Sequence, residues 1–142
     1  MVSPLHQQRV YVDTSALIYA LEAPQLYPRL QTHFLDLFAR RELTMVTSWI
    51  TLAEVLVKPL QTGDVLAEAG YRGFFTTSAH FEILPLDRPI CEQAADLRAL
   101  HGFKLPDALH IATGVAANCT HFLTGDAKWR HVGLHVIDAA GL

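Results

Sequence analysis

The stretch Val10-Tyr11-Val12-Asp13-Thr14-Ser15-Ala16-Leu17-Ile18 changes character at its fourth residue. Three strand-favouring apolar residues run into a carboxylate, two hydroxyl residues follow, and apolar positions then recur with helical spacing. A buried strand therefore ends at an acid. In an open α/β sheet the crevice beyond the carboxyl ends of the strands is where ligands bind, which puts Asp13 at the usual functional edge. Asp, Thr and Ser are also good N-caps, so this stretch alone leaves Asp13 as either a helix cap or a site residue.

The same alternation continues outward. Residues 9–13 read as the first strand and Ala16–Leu21 as the first helix, which Pro24 and Pro28 interrupt or end. In a second helical segment the apolar positions 30, 34, 37 and 38 share a face. Leu43–Thr47 is a short strand, and Ser48 caps a helix running from Trp49 towards Lys58, where Pro59 forbids continuation. The turn Gln61-Thr62-Gly63-Asp64 leads into a helix ending near Thr76, and Phe81–Leu84 is the third strand. Asp87 caps a helix that Gly102 closes. Pro106 lies in the first turn of the next, small-residue helix. His121–Thr124 is the fourth strand, and Gly125-Asp126 behind it repeats the arrangement at Asp13. Ala127-Lys128-Trp129-Arg130 reads as a helical turn and Leu134–Ile137 as a last strand. Strands alternating with helices predict an α/β protein, a three-layer α/β/α fold with a mainly parallel central sheet of four to five strands.

With 51% hydrophobic and 18% charged residues among 142, the chain can bury the core of one domain, residues 1–142, without disulfides or structural metals. Cys91 and Cys119 are too few for a disulfide framework and read as small core residues. No apolar run is long enough to span a bilayer, and Met1–His6 lacks the charged and apolar blocks of a signal peptide, so a cytoplasmic protein with no membrane partner is expected. A net charge of -3 and a pI near 6.2 exclude a coat for nucleic acid held by charge alone, but not an enzyme that acts on it.

Four acids stand out by position. Asp13 and Asp126 end strands. Asp107 opens a helix, where an acid also complements the helix dipole. Glu54 sits in a helix apolar nearly all round, where a carboxylate is costly unless it is ion-paired or coordinates something. Strand C-termini and the N-termini of the following helices share one edge of a parallel sheet, so at least three of these acids can converge. Clustered carboxylates repel, which implies a cation, and oxygen-only ligands select Mg²⁺ or Mn²⁺. Such an ion suits hydrolysis of a phosphodiester. His110, one turn beyond Asp107, reads as a satisfied core or rim histidine rather than a ligand.

In this order, Val10-Tyr11-Val12-Asp13-Thr14-Ser15, Thr47-Ser48 through Ala53-Glu54, Leu105-Pro106-Asp107-Ala108-Leu109-His110-Ile111-Ala112 and Phe122-Leu123-Thr124-Gly125-Asp126 resemble a PIN-domain ribonuclease of the VapC toxin type. The resemblance spans essentially the whole chain. It implies a PIN-like domain with Asp13, Glu54, Asp107 and Asp126 as the acidic quartet and one or two Mg²⁺ or Mn²⁺ ions. It also implies endonucleolytic cleavage of single-stranded RNA, a homodimer, and a cognate antitoxin of a type II toxin–antitoxin pair. Relatives commonly carry a further acid and a Phe after the last acid; here Ala127 and Lys128 replace the acid and Trp129 stands near the Phe position.

Thr14, Ser15 and Thr124 flank site acids and are supporting candidates, with turn and cap roles as the alternative. Lys104, Lys128 and Arg130 are candidate phosphate contacts and Trp129 a candidate base-stacking residue; the alternatives are a solvated surface and a packed core aromatic. Three other functions compete. A noncatalytic RNA- or protein-binding module would have lost site acids, which this chain keeps. An RNA-processing nuclease that is not a toxin would share the same chemistry. A phosphoacceptor signalling domain needs adjacent acids at the first strand and gives Glu54 no role.

Overall fold

A computed structural model describes residues 8–23, 25–30, 36–77, 81–126, 129 and 133–139. Among them a parallel sheet is built from β1 (Arg9–Val12), β2 (Thr44–Ser48), β3 (Phe81–Leu84), β4 (His121–Thr124) and β5 (Val136–Asp138), in spatial order β3-β2-β1-β4-β5. The chain winds outward from β1 to β3, then returns to the other side of β1 for β4 and β5. The winding direction thus reverses between β1 and β4, where a parallel sheet opens a crevice at its carboxyl edge. Asp13 follows β1 and Asp126 lies two residues beyond β4, so the two acids flank that crevice.

The helices are α1 (Thr14–Glu22), α2 (Pro28–Leu30), α3 (Asp36–Ala39), α4 (Trp49–Thr62), α5 (Val65–Thr77), α6 (Arg88–His101) and α7 (Leu105–Ala116). Because side chains alternate along a strand, each strand feeds two cores. Val10, Val12, Met45 and Leu123 pack with Ala16, Leu17, Val55, Leu56, Tyr71 and Phe75 from α1, α4 and α5. Tyr11, Val46 and Phe122 pack with Ile90, Ala94, Ala108, Ile111 and Ala112 from α6 and α7, together with Trp129. This is the predicted three-layer arrangement, with five strands.

Two expectations need correction. Pro59 does not end α4, which continues to Thr62. Proline removes one helical donor, but at Pro59 the helix is in its last turns and the ring is buried, while its carbonyl accepts from Gly63 N and from Asp64 N at 3.0 Å. That second bond, with Gly63 at φ 68°, is a Schellman closure. Gly63→Ala is therefore expected to cost about 1–2 kcal/mol in a denaturant melt, the penalty of a Cβ in the left-handed region. An unchanged midpoint would contradict the role given to the turn. Secondly, Cys91 is exposed, lying off the buried stripe of α6 that carries Ile90 and Ala94, and Cys119 is only half-buried, in the turn after α7. The expected helix around residues 30–38 lies partly outside the described residues.

Candidate active site

Asp13 caps α1 and lines the cavity at the crevice at once. Its Oδ1 accepts from Thr14 N at 2.8 Å, as an N-cap does, while Oδ2 accepts from the hydroxyls of Ser15 at 2.9 Å and Thr124 at 2.7 Å. Three donors from two segments fix a buried carboxylate at the end of β1 and compensate its lost hydration. The network extends to the β4 side. Ser15 Oγ accepts from Gly125 N at 3.0 Å, and Thr124 Oγ1 accepts from Asp126 N at 3.0 Å. Thr124 thereby ties the backbone of one acid to the side chain of another.

Glu54 reaches the same place from the middle of α4. Its Oε1 accepts from the Thr14 hydroxyl at 2.7 Å and lies 2.7 Å from His110 Nε2. Burial alone raises the Glu54 carboxyl, but the hydrogen bonds from His110 and Thr14 and the charge of His110 outweigh it, and its pKa ends lowered. Asp107, in the first turn of α7, behaves oppositely. Burial, then the charges of Asp13 and Asp126, push its carboxyl above the ordinary value, with His110 opposing and Glu54 adding a further repulsion. These acids thus share one electrostatic environment, and they line one open cavity of about 450 Å³ together with Thr14, Ser15 and Gly125.

The three supporting candidates all take part in this network. Of the two readings of Trp129, the structure favours the packed core aromatic over the base-stacking residue: it is 0% exposed and sits in the core beside Phe122 and His110, with its indole N–H lacking a partner among the described residues. It has no face to offer a nucleobase, and its role is packing. Lys104 is exposed at the N-cap position of α7, three residues before Asp107. Lys128 and Arg130 lie outside the described residues.

Sequence reasoning placed His110 in the core or at the rim, and it is 1% exposed and fully partnered, but its partners were not foreseen. Besides Glu54, it lies 3.5 Å from Asp13 Oδ1, and its Nδ1 is 2.6 Å from the Tyr11 hydroxyl. The available signal was its spacing: one helical turn after Asp107, on the face that Asp107 presents.

The donor set matches a hard divalent cation in kind, since oxygen is supplied by four carboxylates, among which the Asp107 carboxyl is raised by burial and by the charges of Asp13 and Asp126. Among the described residues, no three His, Cys, Asp or Glu side chains form a ready coordination group. The arrangement is a set of acids around a cavity rather than a closed cage.

The chain matches the PIN domain family model over residues 10–134. No curated protein matches it by sequence. Among solved structures, FitAcB from Neisseria gonorrhoeae is similar at 22% identity and a TM-score of 0.71, covering 94% of this chain and 99% of that one. A toxin–antitoxin complex from Klebsiella pneumoniae is similar at 21% identity and a TM-score of 0.67, with 92% and 97% covered. Mycobacterium tuberculosis VapC20, described as a sarcin–ricin-loop-cleaving toxin, is similar at 19% identity and a TM-score of 0.65, with 88% and 95% covered. With the matched residues covering β2, β3, β4, all of β1 but Arg9, and all four acids, the chain belongs to the PIN domain family.

Proposed function

We propose that the protein is a divalent-metal-dependent endoribonuclease that cleaves single-stranded RNA in the cytoplasm and serves as the toxin of a toxin–antitoxin pair. The observation that carries this reading is the convergence of Asp13, Glu54, Asp107 and Asp126, from four separate segments, on one open cavity at the sheet crevice. In this reading the four acids hold Mg²⁺ or Mn²⁺. The ion supplies positive charge against the phosphodiester and lowers the pKa of the attacking water. Asp13, fixed by three donors, orients the site. Asp107, whose carboxyl is raised, gains most from a cation, because neutralising the cluster relieves its repulsion. Lys104, exposed near the mouth of α7, is a candidate phosphate contact, and Lys128 and Arg130 remain candidates from the sequence alone.

The toxin role and a cognate antitoxin are supported by the similar solved structures, which include a toxin–antitoxin complex. A protein partner also suits the surface. A second, mainly apolar hollow of about 330 Å³ is lined by Leu21, Glu22, Leu66, Tyr71 and Phe74, and Leu66 in its wall and Val65 next to it in sequence are 86% and 72% exposed. Homodimerisation belongs to the same proposal. Among the described residues no helix is long and apolar enough to cross a membrane.

The test is cleavage of end-labelled single-stranded RNA by the purified protein. Activity should appear with Mg²⁺ or Mn²⁺ and stop with chelator. Glu54→Gln should lower it at least about 100-fold, equivalent to roughly 3 kcal/mol of transition-state stabilisation. A Glu54→Gln protein that cuts at the parent rate, or a parent that cuts equally in chelator, defeats the proposal.

A further inference from the structure

We infer that His110 is a positioning residue for the cation site: it donates a hydrogen bond from Nε2 that holds Glu54 with Oε1 engaged and leaves Oε2 to the metal. The inference rests on the nuclease reading above and concerns how the chain prepares one ligand. An ionised carboxylate only accepts, so the 2.7 Å contact between Glu54 Oε1 and His110 Nε2 requires the hydrogen on Nε2. Nδ1 is paired with the Tyr11 hydroxyl, 2.6 Å away, accepting from it as a neutral imidazole and donating to it as an imidazolium. The Tyr11 hydroxyl is buried beside Thr47 and Thr51, whose own hydroxyls are 2.7 Å apart, and Thr47 is fixed by donating to Val12 O at 2.8 Å. Buried groups of β1, β2 and α4 therefore surround the Tyr11 hydroxyl that holds the Nδ1 side of the imidazole, and the ring's Nε2 donor is aimed at Glu54.

The position of the ring is equally constrained. It meets Tyr11 edge-on at 5.7 Å between centroids and Trp129 at 6.1 Å, so it cannot swing away without opening the core. With both nitrogens engaged, His110 is unsuited to ligating the cation itself. Its Nε2 also lies 3.5 Å from Asp13 Oδ1, so one donor sits between two acids that would otherwise repel each other. Glu54 has three side-chain torsions to order. Two donors on Oε1, from His110 and Thr14, remove most of that freedom, and Oε2 has no hydrogen bond among the described residues.

The test compares Mn²⁺ binding by calorimetry with steady-state RNA cleavage in the parent, His110→Phe and His110→Gln. Phe keeps the ring without the donor, and Gln returns a donor near Nε2. Loss of a partner behind a metal ligand typically weakens affinity or activity about 10–100-fold. His110→Phe should bind Mn²⁺ at least tenfold more weakly and lose kcat with little change in KM for RNA, and His110→Gln should recover most of both. A folded His110→Phe with the parent's Mn²⁺ affinity overturns the inference. Should His110→Phe fail to fold, the imidazole ¹⁵N spectrum of the parent decides: a protonated Nε2 supports the inference, and a bare Nε2 overturns it. A parent that takes up no Mn²⁺ fails the nuclease reading itself, and this inference with it, whereas a parent that binds while His110→Phe binds equally fails only the inference.

Discussion

Asp107→Asn is expected to abolish RNA cleavage and, in the absence of metal, to raise the melting temperature. The two effects have one cause. The Asp107 carboxyl is raised by burial and by the charges of Asp13, Asp126 and Glu54, so its ionised form costs the metal-free fold more than the helix dipole returns. For an acid raised on folding, the favourable contribution is complete below the unfolded pKa and is lost as pH rises through the folded one. The stabilisation from Asn should therefore be seen at neutral pH and fade on acidification, where the parent's own carboxyl is protonated. Each 1 kcal/mol relieved corresponds to about 2–5 °C in Tm for a domain of this size. Added Mn²⁺ should reverse the order. At about 100 times its dissociation constant, a ligand stabilises the parent by roughly 2.7 kcal/mol, and the variant should gain much less. Loss of cleavage should reach at least about 100-fold. An Asp107→Asn protein that melts below the parent without metal, or cuts as the parent does, contradicts the placement of Asp107 in the acid cluster.

The three aspartates were legible in the sequence because position within a parallel α/β unit fixes where they point. Asp13 and Asp126 follow strands and Asp107 opens a helix, and in this topology all three events occur at one edge. Glu54 was legible for a different reason, as a charge in an apolar helix that needs compensation. What compensates it was not legible. The sequence separates His110 from Glu54 by 56 residues, and they meet only because α4 and α7, which contribute mainly to opposite core clusters, both reach the carboxyl edge. The same limit governs Trp129, whose local setting beside Lys128 suited a substrate contact until its burial against Phe122 was known. Pro59 misled because local propensity forbids a helix there, whereas tertiary burial of the ring and the Gly63 closure tolerate one. At Asp13 the cap bond takes Oδ1 while Oδ2 takes the hydroxyls of Ser15 and Thr124, so capping α1 does not remove the side chain from the acid cluster.

The second large effect is expected at Gly114, far from the acids in sequence logic but beneath them in packing. Glycine in mid-helix normally costs about 1 kcal/mol against alanine, so replacing it should stabilise α7 if space allows. Space does not allow it: a Cβ on Gly114 would lie 2.3 Å from Phe122 Cε1, 2.7 Å from Phe122 Cζ and 3.1 Å from Tyr11 Cβ. Phe122 has little room to yield, because its ring packs with Tyr11 at 5.8 Å and with the buried Trp129 at 6.3 Å between centroids. Overpacking of this kind costs about 1–3 kcal/mol, and the overlap here argues for the upper end. After the propensity gain, Gly114→Ala should lower stability by about 2 kcal/mol, a fall of roughly 4–10 °C in Tm. Gly70 supplies the control. It lies in α5 with nothing within 4 Å of an added Cβ, so Gly70→Ala should raise stability by up to about 1 kcal/mol. Adding Phe122→Leu to Gly114→Ala should recover part of the loss, a coupling that distinguishes steric conflict from a backbone effect. The strain also reaches the site, because Tyr11, which must move away from the new methyl group, holds the Nδ1 side of His110. Gly114→Ala should therefore weaken Mn²⁺ binding even at temperatures where the protein is fully folded. If it melts at or above the parent, α7 does not approach β1 and β4 as closely as the structure requires.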